Sequence, residues 1–471
     1  MRKKLSFLSI VTFLSLFQIF GSDAQNRHSN AKMSKIETIF DNTYLGKLTI
    51  NVSIEEWNKL LANCRDESLR DEYVKVDAEW NNKCGTYTLP EIGMRVRGNS
   101  TYAAPEVDFV HNSKKPLYRR SHLKLNFNEF HKCNVEKVIT GINLKSTRQD
   151  NSCLQEVYTY DLFHRFKVWS VPHASLIKIY MKIGNDKEIY WGLYKAIEEV
   201  NKDFLKSRKD YMSKDGYLWK CKGATLKIEN IEKNFLPGYE LKTHKKQYNT
   251  AKNQLLTFIS KLNSTTDKDF PDWIASVTDM ELLLKTIAVE IICCRWDESN
   301  NFYLYFTPEG KLYYIPHDVD YTLYRPGEWS HSDNPLNWKY NAAPFPLFKR
   351  ILDVPQYRKQ LSEYLCMLVT EENNLATKNA STLRINKWYN LIGSSMYTGK
   401  ANLFPYPKNY QELSLFQKFK CRCQAKILTL KKIYHGKGYT EQHFHILGNK
   451  NNFFDLQKEA VLKYCTNESS H

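Results

Sequence analysis

The sequence predicts an α+β protein of two lobes, a β-rich N-terminal lobe and a helical C-terminal lobe with a cleft between them. Three observations carry this. Before about residue 225, apolar and polar residues alternate as they do in half-buried strands. After it, long segments repeat their apolar residues at helical spacing, and the one exception is a hairpin over residues 301–315. The composition supports a packed core in both parts, since 42% of the 471 residues are hydrophobic and 14% are aromatic.

The elements follow in order. Residues 25–44 are polar and without regular pattern. KLTINVSI (Lys47 to Ile54) alternates like a strand, and residues 55–63 read as a short helix. In EIGMRVRG (Glu91 to Gly98), Met94 and Val96 share one strand face and Arg95 and Arg97 the other. Residues 99–116 are polar and predicted as loop. HLKLNF (His122 to Phe127) turns Leu123, Leu125 and Phe127 one way and Lys124 the other. Residues 155–166 form a helix candidate with Val157, Tyr160 and either Phe163 or Phe166 on one side. Strands at 175–181 and 189–197 flank the turn Gly184-Asn185-Asp186, and a further strand is predicted at 216–222.

Helical spacing then takes over at 248–262. Thr278-x-x-Glu281 has the capping-box pattern and opens MELLLKTIAVEIICC, a run apolar nearly all round and therefore predicted to be buried. Further helices are predicted at 355–369 and 410–433. The hairpin pairs 301–306 with 311–315 around Thr307-Pro308-Glu309-Gly310.

Residues 1–24 have the form of a secretory signal. Arg2, Lys3 and Lys4 precede an apolar run, and Ser22-Asp23-Ala24 ends in a small residue before Gln25. The expectation is a soluble, exported mature protein with no transmembrane segment. Eleven cysteines without zinc-ligand spacing then predict disulfides, with at least one thiol left over. Asn51, Asn99, Asn263, Asn379 and Asn467 stand in glycosylation sequons. Lys and Arg number 68 against 51 Asp and Glu, a net charge of +17, which suits an anionic partner such as a nucleotide. The charge is spread along the chain with no helix-turn-helix, zinc-finger or RNP signature, so nucleic acid is the weaker partner. No G-x-S-x-G, H-E-x-x-H or Walker-type loop occurs, so serine hydrolase, zincin and P-loop readings have no support.

The chemistry concentrates in WDESNNFYLYFTPEGKLYYIPHDVDY, residues 296–321. Asp297 and Asn301 precede one strand, and Asp318 and Asp320 follow the next. Each alone is an ordinary turn residue. Together they bring four oxygen-bearing side chains to the two ends of one hairpin, a ligand set for Mg²⁺ or Mn²⁺ with a carboxylate to spare for proton transfer. Alternation aims Asp318 and Asp320 to one side, where two like charges repel unless a cation or basic group lies between them. RGNST (Arg97 to Thr101) is either a glycine turn or a phosphate loop with Arg97 as donor. Lys124 is either a solvated strand residue or the partner of Glu156, a pair that would hold nucleotide phosphates. In YWGLYKAIEEV (Tyr190 to Val200), Glu198 and Glu199 are candidates to face a base, and Lys220 is a candidate phosphate cation.

Taken in order, RGNST, KKP and HLKLNF, QEVYTYDLFHRF, YWGLYKAIEEV, GYLWK, WDESNNFYLY and GKLYYIPHDVD resemble the spore coat protein H (CotH-type) atypical kinases, over about residues 91–365. The resemblance implies a two-lobed atypical protein-kinase-like fold and transfer of the ATP γ-phosphate to Ser or Thr of secreted or surface proteins. It implies that Asp297 orients the acceptor hydroxyl and takes its proton, that Asn301 fills the amide place of the catalytic loop, and that Asp318 binds metal with Asp320 as neighbour or second ligand. Lys124 and Glu156 would be the lysine and its helix partner, and Arg97 would lie near the phosphates. The family commonly has Trp before the metal aspartate as a surface for adenine; His317 stands there in this chain and offers less stacking area. The implied organisation is a signal peptide (1–24), an N-terminal extension (25–90), a β-rich lobe (91–225), a helical lobe with the catalytic hairpin (226–370) and a helical tail (371–471). Two other classes compete: a catalytically inactive kinase-like surface or adhesion protein, and a metal-dependent phosphodiesterase.

Overall fold

The computed structural model describes residues 34–99, 101–107, 117–147, 150, 152–228, 235, 238–295, 301–323, 334–337, 345–396 and 453–465. The expected signal (1–24), the expected helix at 410–433 and Asp297 lie outside them. In chain order the strands are β1 (Gly46–Val52), β2 (Val74–Asn82), β3 (Gly85–Val96), β4 (Glu106–Val107), β5 (Leu117–Tyr118), β6 (Leu123–Asn126), β7 (Gly141–Ser146), β8 (Ala174–Ile183), β9 (Ile189–Glu198), β10 (Tyr217–Lys222), β11 (Tyr239–Leu241), β12 (Asn301–Phe306) and β13 (Leu312–Pro316). The helices are α1 (Lys35–Ile39), α2 (Ile54–Arg65), α3 (Gln155–Arg165), α4 (Lys202–Ser207), α5 (Tyr248–Ser264), α6 (Phe270–Val277), α7 (Met280–Ile292), α8 (Pro346–Asp353), α9 (Pro355–Val369), α10 (Lys378–Ile392) and α11 (Phe453–Tyr464). The chain is thus mixed α+β, as expected.

The strand-rich part closes on itself. Seven strands form a barrel in the order β1-β2-β3-β6-β7-β9-β8. Alternation fills it: Leu48, Ile50, Val74, Val76, Met94, Leu123, Leu125, Ile142, Leu144, Ile179 and Tyr194 pack in one interior cluster. The barrel is closed by a parallel pairing of β1 with β8, from Gly46 opposite Ile177 to Val52 opposite Ile183. Residue 90 lies within β3, and β1 and β2 of the 25–90 segment belong to the same barrel as the strands after it. In YWGLY, Gly192 has φ +144, and a Cβ there would meet Arg120 Cδ at 2.5 Å; the glycine makes room for that buried arginine.

A second sheet, β11-β10-β12-β13, carries the expected hairpin, with Phe302 opposite Pro316 and Phe306 opposite Leu312. Helix α3 shares one apolar cluster with this sheet and with α7 and α9, through Val157, Phe163, Leu284, Ile287, Leu304 and Leu365. Helix α7 is buried on nearly every side, as its sequence predicts. Its cap differs from expectation. Asp279 Oδ1 accepts the Leu282 N–H at 3.0 Å, while the Thr278 hydroxyl donates to the Leu312 carbonyl at 2.8 Å and ties the helix to β13. The expected disulfides do not appear at Cys64, Cys84, Cys133, Cys153, Cys221, Cys293 or Cys366, which carry free thiols. Among the described residues, no helix is long and apolar enough to cross a membrane.

Two histidines between α3 and β8 give a testable acid response. His164 and His173 stack with ring centroids 4.0 Å apart, and His164 Nε2–H donates to the Pro172 carbonyl at 3.1 Å. Burial, helped by Arg208, pushes His173 down to about 3, and burial with His173 and Arg208 beside it holds His164 well below the usual imidazole range. An unfolded chain takes up protons on these rings near pH ~6.5, and the folded chain does not. Stability is therefore full above that pH and falls as pH drops below it, by up to ~1.4 kcal/mol per ring per pH unit. The urea midpoint should fall between pH 7.5 and 5; a flat midpoint would refute the assignment.

Candidate active site

The site is assembled on the outer face of the barrel. Ile142 and Leu144 point inward from β7, so Asn143 and Lys145 point out, and Lys145 stands opposite Lys195 of β9. Helix α3 lies outside these strands and brings Glu156, fully buried, to both ammonium groups. Lys145 Nζ donates to Glu156 Oε1 at 2.9 Å, and Lys195 Nζ lies 3.0 Å from Glu156 Oε2. Lys195 also reaches Asp150 Oδ2 at 3.4 Å, whose carboxylate accepts the Gln155 N–H at 3.0 Å and so fixes the start of α3.

The hairpin supplies the other wall. Lys145 Nζ donates to Asp318 Oδ1 and, at 3.1 Å, to Asp320 Oδ2. The repulsion expected between the two aspartates is relieved by a basic group. Their convergence does not come from strand alternation: β13 ends at Pro316, and Asp318 adopts a left-handed φ of 61° that turns the chain back. Arg295 pins the two hairpin ends together. It is fully buried, pairs with Glu290, and its Nη2 donates to the carbonyls of both Asn301 and His317, the latter at 2.8 Å. The His317 N–H adds a 3.2 Å bond to the Asn301 carbonyl.

Electrostatics follow from this packing. Burial works against the charge on Lys145, but Asp318, Asp320 and Glu156 outweigh it and hold the ammonium well above the usual lysine range. Burial likewise opposes the charge on Asp318, yet Lys145, His317 and Arg97 hold that carboxyl well below its usual range. Asp320 goes the other way, up to about 7, through burial and the nearby charges of Asp318 and Glu156, only partly countered by Lys145. Four carboxylates (Asp150, Glu156, Asp318 and Asp320) face two ammonium groups. The side chains of Asp318 and Asp320 keep 30% and 20% of their surface exposed, so a solute can reach them. An excess of hard oxygen donors with negative charge fits a divalent cation. Among the described residues no cluster of three or more His, Cys, Asp or Glu side chains is arranged as a metal site.

Arg97 and Lys220 form the positive margin. Neither makes an ion pair with another described residue. Burial, then repulsion from Arg97 and Lys242, lowers Lys220 to about 8, the situation of an ammonium that lacks an anion. Gly98, at φ +128, is required by its own turn: a Cβ would meet Thr101 Oγ1 at 2.8 Å, and the Tyr102 N–H closes on the Asn99 carbonyl at 3.1 Å. The RGNST segment is thus a tight turn that carries Arg97 to the site; Ser100 lies outside the described residues. His317 is 6% exposed and packs edge-on against Tyr303, with centroids 5.1 Å apart, so it sits within the site and not on an open surface.

The expected Lys124–Glu156 pair does not form. Lys124 lies one strand away from β7 and pairs with Glu199, while Glu156 is taken by Lys145 and Lys195. Glu198 is held by Arg208 through two bonds of 2.8 and 2.9 Å, so both glutamates of YWGLYKAIEEV are committed within the protein. Lys145, Lys195, Asp150 and Arg295 escaped the sequence reading. GINLKS (Gly141 to Ser146) carries a legible signal, Ile142 and Leu144 alternating with Asn143 and Lys145; Lys195 shares a strand face with Trp191 and Leu193 in YWGLYKAIEEV, while Asp150 and Arg295 have no local signature.

A buried lysine shared between a helix glutamate and two aspartates lies on the outside of the β-barrel, an arrangement comparable with the lysine–glutamate pair and metal-binding aspartate of protein kinases. Comparison with protein families is consistent with that class. The model described as CotH kinase protein matches residues 94–412, well over half of the chain, and the chain belongs to this family. No curated protein matches the sequence.

Proposed function

We propose that the chain is an exported atypical protein kinase that transfers the γ-phosphate of ATP to Ser or Thr of secreted or surface proteins, with Mg²⁺ or Mn²⁺. The observation that carries this reading is the Lys145 ammonium, held by Glu156 and facing Asp318 and Asp320. In this reading the barrel and α3 make up the N-terminal lobe and the segment from α5 onward the helical lobe. Glu156 keeps Lys145 in place while its ammonium turns from Asp318 to phosphate oxygens. Arg97 and Lys220 neutralise the remaining phosphate charge. Asp318 and Asp320, with the Asn301 amide, would hold the divalent ion, which screens the charge of the transferring group. Asp297 orients the acceptor hydroxyl and takes its proton.

The test is transfer of labelled phosphate from ATP by the purified chain. Autophosphorylation or transfer to a general protein acceptor should require Mn²⁺ or Mg²⁺ and stop on chelation. Asp318→Ala should lower it by at least ~10²-fold without unfolding the chain, because the aspartate is partly exposed. Transfer that persists in Asp318→Ala would sink the assignment. A well-folded wild-type chain that binds ATP but transfers nothing would favour the non-catalytic surface-protein reading.

A further inference from the structure

The site holds one ammonium more than a lysine–glutamate pair needs. Lys195 stands directly opposite Lys145 in the β7–β9 pairing, and like charges at such positions repel unless an anion lies between them. Glu156 is that anion. It is fully buried; Oε1 accepts from Lys145 at 2.9 Å, and Oε2 lies 3.0 Å from the Lys195 ammonium. Oε2 accepts no hydrogen bond from a described residue, so the charge of Lys195 is what balances it.

The two lysines differ in what else they touch. Lys145 also reaches Asp318 and Asp320, whose side chains are partly exposed. Lys195 is 1% exposed, and its other carboxylate, at 3.4 Å, is Asp150, itself buried. A phosphate arriving at Asp318 therefore meets Lys145, while Lys195 faces protein. Burial opposes the charge on Lys195, but Glu156 and Asp150 outweigh it and hold the ammonium above the usual lysine range.

Sharing Glu156 changes what Lys145 can do. A buried carboxylate with a single counter-charge holds it tightly, because releasing it leaves a bare charge in the interior. With Lys195 on its other oxygen, Glu156 stays compensated when Lys145 leans toward an incoming anion. Asp150 ties the arrangement to the fold, since it accepts from Lys195 and from the Gln155 N–H at the start of α3.

We propose that Lys195 is a positioning residue: by balancing Glu156 Oε2 it leaves the Lys145 ammonium free to turn to the phosphates of the nucleotide. The inference rests on the kinase reading and adds to it a second lysine that never touches substrate. Because Lys195 acts through Lys145 on nucleotide binding, its loss falls on KM more than on kcat.

The test is labelled-ATP transfer at varied ATP with Mn²⁺, paired with calorimetric titration of ATP and Mn²⁺ into the full chain. Lys195→Met should raise both KM and the dissociation constant at least ~10-fold, and lower kcat no more than ~3-fold. A merely structural role would do the reverse, since fewer folded molecules lower kcat and leave KM alone. Lys195→Met strips the counter-charge from two buried carboxylates and is the variant most prone to unfold. Asp150→Asn/Lys195→Met removes one charge of each sign, should melt above the single variant, and should keep the raised KM. Lys195→Arg keeps the charge and should hold KM within ~3-fold of wild type. Wild-type KM in the double variant, a loss confined to kcat, or equal KM in Lys195→Arg and Lys195→Met would each overturn the proposal and leave the kinase reading in place. If ATP binds without transfer, the dissociation constants carry the same comparison. A wild-type chain that neither binds ATP nor transfers from it would overturn both.

Discussion

Lys145→Met should cut phosphate transfer by at least ~10²- to 10³-fold, the range for removing one fixed charge donor from a reacting center, while Lys124→Met should leave most of it. Lys145 alone among the described lysines touches Glu156, Asp318 and Asp320 at once. Lys124 answers only to Glu199, one strand away. Loss of the Lys145 ammonium also leaves the two aspartates facing each other, so the variant should melt lower and bind Mn²⁺ more readily than wild type, since the ion then has no competitor for their oxygens. The readouts are the labelled-ATP assay and a thermal melt with and without Mn²⁺. If Lys124→Met proves the inactive variant and Lys145→Met transfers normally, the lysine has been assigned to the wrong strand.

Arg295→Met should be the most destabilising single change in the hairpin region, at about 3–5 kcal/mol, because it leaves a fully buried glutamate without its counter-charge. The substitution also removes the guanidinium nitrogen that the carbonyls of Asn301 and His317 share. Urea denaturation measures the loss. A Glu290→Gln/Arg295→Met double variant should recover part of it, since the orphaned charge is then gone. Activity should not return with stability, because the clamp that sets the spacing between Asn301 and Asp318 is still missing. A single variant as stable as wild type would show that other contacts hold the hairpin ends.

Most strands and helices that shape the site were legible because each has its own period. HLKLNF, the 175–197 pair, the 301–315 hairpin and the apolar run of α7 all appear within one to three residues of where alternation or helical spacing put them. What was not legible is mostly long-range. Closure of the barrel depends on β1 meeting β8 across more than a hundred residues, and no local pattern encodes that pairing. VKVDAEWNN of β2 and GINLKS of β7 alternate as well, and the second carries Lys145. Lys124 stands in the stronger alternation, but strength of pattern says only which way a side chain points, not which helix lies over it. Asp318 and Asp320 converge for reasons that alternation does not contain: a left-handed residue turns the chain, and an ammonium holds both acids.

The family match starts at Met94, inside β3, so it omits β1 and β2. A fragment trimmed to that homologous stretch would lose two of seven staves and most of a third, β3. All seven residues of β1 pair with β8, and their removal would bare a row of amides and carbonyls along Gly46's former neighbours, Ile177 to Ile183, with Ile179 and Met181 behind them. Such a rim recruits strands from other molecules and precipitates. Strands β1 and β2, which precede the matched residues, therefore cover an edge that the barrel would otherwise expose.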